Sequence, residues 1–229
     1  MLLAVETSGT QGSIAIYDGP QILCARILSV SGPRHAQTLP AEVADALGCH
    51  GLQPRDIQAI AVSIGPGSFT GLRVGVTFAK TFAWLNDARL VAVDTLRAIA
   101  QQVPAEAEYV TAIADAQRSE FFVATYRWNP ELKLRCAIGG VRVVGVDELP
   151  TEFPISGPAA IKLASAAHGC FDVVDESLWQ PHAVSIGLIG RHLLNDRQFA
   201  DLDNLEPVYI RLSYAEEKRR ETTAPNAFQ

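Results

Sequence analysis

The stretch SIGPGSFTGLRVG, Ser63–Gly75, takes the end of an apolar run, Ala59–Ile64, through three glycines, Gly65, Gly67 and Gly71, into a long apolar segment with few charges. Whether those glycines cradle a phosphate or serve packing decides between a nucleotide enzyme and something else. A Walker loop requires GxxxxGK[ST], because its Lys and hydroxyl reach the terminal phosphates and the magnesium ion. Here Gly71 is followed by Leu72 and Arg73, which excludes it. A Rossmann turn fits better: a strand precedes the glycines, a helix follows, and Asp94 ends the next apolar run, where a ribose-binding acid would stand. Its defect is spacing, since Gly65-x-Gly67-x-x-x-Gly71 puts the third glycine one residue late.

A third reading starts from the helix expected over Thr70–Leu85, whose only formal charges are Arg73 and Lys80. Leu72, Val76, Ala79 and Ala83 lie on one side of its axis, and Val74, Phe78, Phe82 and Leu85 on the other. A helix apolar all round is buried all round. One face can lie on a sheet, and the other needs cover from a neighbouring helix or from another protein chain. Gly71, Gly75 and Ala79 recur every four residues, and such a small-residue stripe admits a second helix at close range. Two glycines inside a helix cost on the order of 1 kcal/mol each, which some compensating contact must offset.

The rest of the chain bounds these readings. With 229 residues, 48% hydrophobic and 19% charged, the sequence can bury one large domain or two lobes. A net charge of −6 gives no global attraction for nucleic acid or an anionic membrane, so a partner would supply the positive surface if RNA is involved. Cys24, Cys49, Cys136 and Cys170 form no CxxC pair, which fits free thiols in a reducing compartment better than structural zinc. Met1 runs into LLAVETS with an acid at Glu6 and no basic leader, so neither a signal peptide nor a spanning helix is expected, and a cytoplasmic protein is.

Hydrophobic period gives the organisation. LLAVETSGTQGSIAIYDGP reads as a strand to Val5, a polar turn, a strand Ser13–Tyr17 and a turn at Asp18-Gly19. Leu39, Val43 and Leu47 mark one helix face, closed by Gly48. Strand Ala59–Ile64, the glycine turn, the apolar helix and strand Leu90–Val93 then imply a parallel pair with a crossover. VTAIADAQRSEFFVATY repeats the opening hairpin, its Asp115 standing where Glu6 stands in the first. That repeat points to a duplicated α/β lobe, 1–103 and 104–214, with the end of the second able to pack back on the first and a solvated tail at 215–229. A short strand, a Gly157-Pro158 turn and a helix are expected after FPIS, and a further helix over AVSIGLIGRHLLN.

GPGSFTGLRVG, LAVETSGTQGSIAIYDG, RHAQTLP, DAQRSEFF and EPVYIR together resemble the TsaB family, also called YeaZ. The resemblance implies the actin-like ATPase fold of sugar kinases and Hsp70 chaperones, α/β, with two duplicated lobes of mixed sheet plus helices. It implies a subunit without chemistry of its own that pairs with TsaD, and with TsaE, to place threonylcarbamoyl on the adenosine beside the anticodon, touching tRNA through the complex. ATP and metal are then expected in the partner subunits, and a homodimer is open for the isolated chain. TsaD-like proteins hold their metal on two histidines four residues apart on the helix after the strand matching Leu90–Val93; this chain has Thr95 and Ile99 there. His35, His50, His168, His182 and His192 include no pair at helical ligand spacing, so neither a metal site nor a glycoprotease activity is expected.

Glu6, Thr7, Ser8 and Asp115 stand where actin-like ATPases place acids and hydroxyls around phosphate and magnesium, and are candidates for a relict cleft. The expected TsaD interface, a contact of two helices from each chain by the resemblance, comprises Leu39, Val43, Leu72, Gly75, Val76, Ala79 and Phe82. Two other classes stay open: a stand-alone nucleotide-binding enzyme, actin-like or Rossmann-like, and an independent homodimeric scaffold.

Overall fold

The computed structural model describes residues 1–28, 35–165 and 171–209; the tail 215–229, His168 and Cys170 lie outside them. The strands Leu2–Glu6 (β1), Ser13–Asp18 (β2) and Gln21–Ile27 (β3) form an antiparallel meander. Helix α1 (His35–Cys49) leads to strand β4 (Ala59–Ser63), which pairs in parallel with the free side of β1. Helix α2 (Phe69–Asn86) then crosses over to β5 (Arg89–Val93), parallel to β4, completing the order β3-β2-β1-β4-β5. LLAVE and AIAVS, the central strands, are buried at every position, the continuous apolar reading of strands covered on both faces.

Helix α3 (Thr95–Gln102) leads into a second meander, β6 (Tyr109–Gln117), β7 (Glu120–Asn129) and β8 (Leu134–Gly145). Short strand β9 (Ile155–Ser156) pairs in parallel with β6, giving the order β8-β7-β6-β9. The two sheets therefore share one plan, the second without a counterpart of β5. Two strands were not foreseen from the pattern, β3 and β8. Both are sheet edges, where one side of the ladder meets solvent and the apolar alternation weakens.

After a short helix α4 (Ile161–Ser165), the chain returns to the first lobe. Helix α5 (Ala183–Asn195) lays Ala183, Ile186 and Ile189 on Leu2, Ala4, Ala15, Ala59 and Ala61. Small strand residues meet a helix whose Gly190 Cβ, if present, would come 2.5 Å from the Ala61 Cβ, so the layer closes at short range. The opposite sheet face, Leu3, Val5, Ile14, Ile16, Ile60 and Val62, carries α1 and α2. The first lobe is thus a helix–sheet–helix sandwich that borrows one helix from the end of the chain.

Arg135, at the start of β8, is fully buried and ties the lobes together. Its Nη1 donates to the carbonyls of Ala107 and Glu108 at 2.6 and 3.1 Å, and its Nη2 to those of Val103 and Pro104 at 3.0 and 2.7 Å. Four carbonyls of the segment leaving α3 are satisfied by one planar fork, while burial pushes the guanidinium pKa down. Arg135→Ala should cost about 3 kcal/mol or more, because it orphans those carbonyls and opens a void. Arg135→Lys should recover only part, since an ammonium cannot reach four acceptors in a plane. Urea unfolding of the three proteins checks the order.

Candidate functional site

The glycines after β4 pack against the turn between β1 and β2. Ser68 caps α2, its side chain accepting from Gly71 N at 3.2 Å, while its own N–H donates to Ser8 O at 2.8 Å. Thr7 Oγ1 donates to Gly71 O at 2.7 Å. A Cβ on Gly67 would lie 2.7 Å from Ser8 O; one on Gly71 would overlap Thr7 O, and one on Gly75 would overlap Thr7 Oγ1. The stripe of small residues therefore admits a strand-end turn from 64 residues away in sequence.

Glu6 ends β1 beneath this turn and is wholly buried. Its Oε1 accepts from Ser8 N and Ser8 Oγ. Its Oε2 has no partner among the described residues, nor has Ser63 Oγ on the adjacent strand. Burial pushes the carboxyl above its ordinary range, and the Ser8 hydroxyl with the Ser8 and Gly9 amides offsets that rise in part. Gln180 and Pro181 close over Gly9, with would-be Cβ distances of 3.2 Å, and Thr10 Oγ1 lies 3.3 Å from Gln180 Oε1.

Asp115 does not join Glu6. It is exposed on β6, accepts from Gln117 N at 2.8 Å and pairs with Lys162 Nζ at 2.7 Å, all within the second lobe. Gly157 in that lobe repeats the packing role, since a Cβ there would overlap Ile113 O. Asp94, which a dinucleotide reading sets on a ribose, is the N-cap of α3: its Oδ1 accepts from Arg97 N at 2.7 Å and from Tyr126 OH at 2.9 Å. His182 caps α5 through Nδ1, and burial lowers its pKa; His50 lies 2.9 Å from Ala46 O and His192 3.3 Å from Asp196.

The residues that the apolar pattern assigned to an interface face inward. Leu39, Val43, Leu72, Gly75, Val76, Ala79 and Phe82 are all buried within the chain's own core. Leu72, Gly75, Val76, Ala79 and Phe82 turn inward because the turn holding Thr7 sits on the glycine stripe and fixes the roll of the helix. Arg73, Thr77, Thr81, Trp84 and Leu85 face out instead, with Val74 and Phe78 half-buried beside them. Trp84 is 72% and Leu85 67% exposed. Between α1 and α2 runs a groove of about 420 Å³ lined by Leu39, Pro40, Arg73, Val74, Thr77, Phe78 and Thr81. Its far wall, α2, is braced by the segment after α5: Lys80 Nζ donates to the carbonyls of Asp203 and Leu205, Val208 N donates to Ile64 O, and Arg73 Nε donates to Tyr209 OH. The polar residues Arg73, Thr77 and Thr81, four apart, were the available sign of which side meets solvent.

Comparison with known proteins agrees with this architecture. A family model described as TsaD: tRNA N6-adenosine threonylcarbamoyltransferase matches residues 29–168. The tRNA threonylcarbamoyladenosine biosynthesis protein TsaB of Bacillus subtilis is 31% identical over 128 residues, 56% of each chain, and that of Escherichia coli is 32% identical over 133 residues, 55% of this chain and 54% of the other. The chain belongs to the family that this model describes. The match spans about half the length of these TsaB relatives. The structure of YeaZ from Pseudomonas aeruginosa superimposes with a TM-score of 0.79 at 23% identity, covering 91% of this chain and 99% of that one, so the TsaB/YeaZ fold extends through both lobes. The fold is α/β, two mixed sheets of one plan with helices packed on them.

Two glycine-to-alanine substitutions should act in opposite directions. Gly71→Ala should cost more than about 4 kcal/mol or prevent folding, because the new methyl meets backbone that cannot move. Gly48→Ala, in α1 with nothing within 4 Å of the added methyl, should stabilise by up to about 1 kcal/mol in the same thermal melts. For Glu6, a folded pKa above the ordinary 4.5 means its contribution is complete below that value and is lost as pH rises through the folded pKa. Glu6→Gln, always neutral, should flatten this decline, so unfolding free energies of the two proteins should converge or cross as pH rises; parallel curves would contradict the assignment.

Proposed function

We propose that the chain is an accessory subunit in forming threonylcarbamoyladenosine on tRNA, binding a TsaD-type subunit through the outward face of α1 and α2 and performing no chemistry itself. The observation that carries this reading is the exposed pair Trp84 and Leu85 on α2, on the same helix as the half-buried Val74 and Phe78 that line the α1–α2 groove. An indole 72% exposed next to a leucine 67% exposed is an apolar surface that association would cover. The printed functions of the TsaB and TsaD relatives supply the process, and tRNA would be reached through the complex, in keeping with a net charge of −6. ATP and metal would be held by partner subunits, a TsaE-type protein among them. The buried Glu6 and the committed Thr7 and Ser8 hydroxyls support the absence of phosphate chemistry in this chain.

Light scattering on a sizing column tests it, with the chain alone and mixed with the TsaD-type protein of the same organism, with and without ATP and magnesium. The expected result is a one-to-one heterodimer that displaces any homodimer. Leu85→Asp and Trp84→Ala should weaken it at least about tenfold while leaving the melt of the isolated chain nearly unchanged, because both side chains are largely exposed and lie outside the core cluster that orders the lobe. Separate elution under every condition, together with micromolar ATP binding by the isolated chain, would favour a stand-alone nucleotide-binding protein.

A further inference from the structure

Arg73 is unlike the rest of the outward stripe. Its guanidinium carbon lies 3.9 Å from the centroid of the Phe69 ring and 5.9 Å from that of Tyr209, and the two rings stand 5.0 Å apart. Nε is committed to Tyr209 OH at 3.0 Å, while neither Nη nitrogen donates to any described residue. Lys80, the other cation of α2, spends its ammonium on the carbonyls of Asp203 and Leu205. Arg73 is exposed and lines the mouth of the apolar groove. A stacked guanidinium has already lost most of its rotamer freedom, and an Arg held by Nε keeps its Nη edge as a planar two-donor fork.

We infer that Arg73 is a preset receptor for a carboxylate on the partner subunit, seated at the edge of an otherwise apolar helix that fills the groove between α1 and α2. The inference rests on the docking surface proposed above and names the chemistry of its occupant. The shape of the fork selects the group: two Nη donors match two carboxylate oxygens, beside a groove lined by Val74 and Phe78. The charge also sets register, because an Asp or Glu of the partner can meet this one open fork only in one seating along α2. Phe69 and Tyr209 are positioning residues, acting through the guanidinium. Tyr209 is contributed by the segment after α5, so the end of the chain shapes a surface on its first lobe.

Calorimetric titration of the full-length chain with the TsaD-type protein of the same organism, at low and high salt, tests this. Arg73→Gln should raise Kd by about tenfold or more and flatten its salt dependence, as expected for loss of a charged anchor at an interface. Arg73→Lys should restore charge but recover little affinity, because an ammonium cannot fork. Tyr209→Phe, which keeps the ring and removes the Nε acceptor, should give a loss of about threefold, and it carries the test if Arg73→Gln proves unfolded. Wild-type affinity and salt dependence in Arg73→Gln, with binding abolished by Leu85→Asp, would overturn the carboxylate receptor and leave the docking surface standing. Failure of the unmodified chain to bind would remove both.

Discussion

The close seating of the turn holding Thr7 and Ser8 on the first turns of α2 is the constraint from which the remaining arrangement follows. Three side chains are missing there, at Gly67, Gly71 and Gly75, because backbone and hydroxyl atoms of the turn occupy the places their Cβ atoms would take. That contact joins the end of β1 to the helix after β4, and so fixes both the depth of α2 on the sheet and its rotation about its own axis.

Once the roll of α2 is fixed, its two faces have different fates. Leu72, Val76, Ala79 and Phe82 join the core with Leu39 and Val43 of α1, and a loss there would be felt as stability. The opposite face keeps Trp84 and Leu85 in solvent and is stiffened from the side by Lys80 and Arg73, whose partners lie on the chain's last described segment. A surface that is apolar, rigid and braced loses little entropy on association, which is the physical basis for reading it as a docking face. Arg135 plays the comparable role between lobes, holding the segment from α3 to β6 so that the helix shared by both sheets stays in place.

Much of this was legible before any coordinates. β1, β4 and β6 are continuous apolar runs because both faces of each are covered, and α5 was bounded by its own pattern to within a residue. β3 and β8 were not, since QILCARI and LRCAIGGVRVVG carry the mixed character of strands with one open edge. The glycine stripe was correctly read as a sign of close approach but assigned to the wrong neighbour. Helical period reports which residues share a side, and it is silent on whether that side meets a helix, a turn or a partner. Thr7 could not be seen there from spacing, because the contact is made across the fold. The side facing out was nevertheless written in the sequence as Arg73, Thr77 and Thr81, polar residues four apart in an otherwise apolar helix, while Trp84 and Leu85 disguised it by looking like core.

The central claim is that the inward face of α2 serves this chain and the outward face serves another. Hydroxyl-radical footprinting resolved to single residues measures both faces at once. In the isolated chain Phe78 and Trp84 should be labelled and Leu72 and Phe82 should not, and adding the TsaD-type protein should protect the first pair while leaving the second unlabelled. Labelling of Leu72 and Phe82 in the isolated chain that disappears on complex formation would contradict the account, because it would return those residues to the interface and the glycine stripe with them.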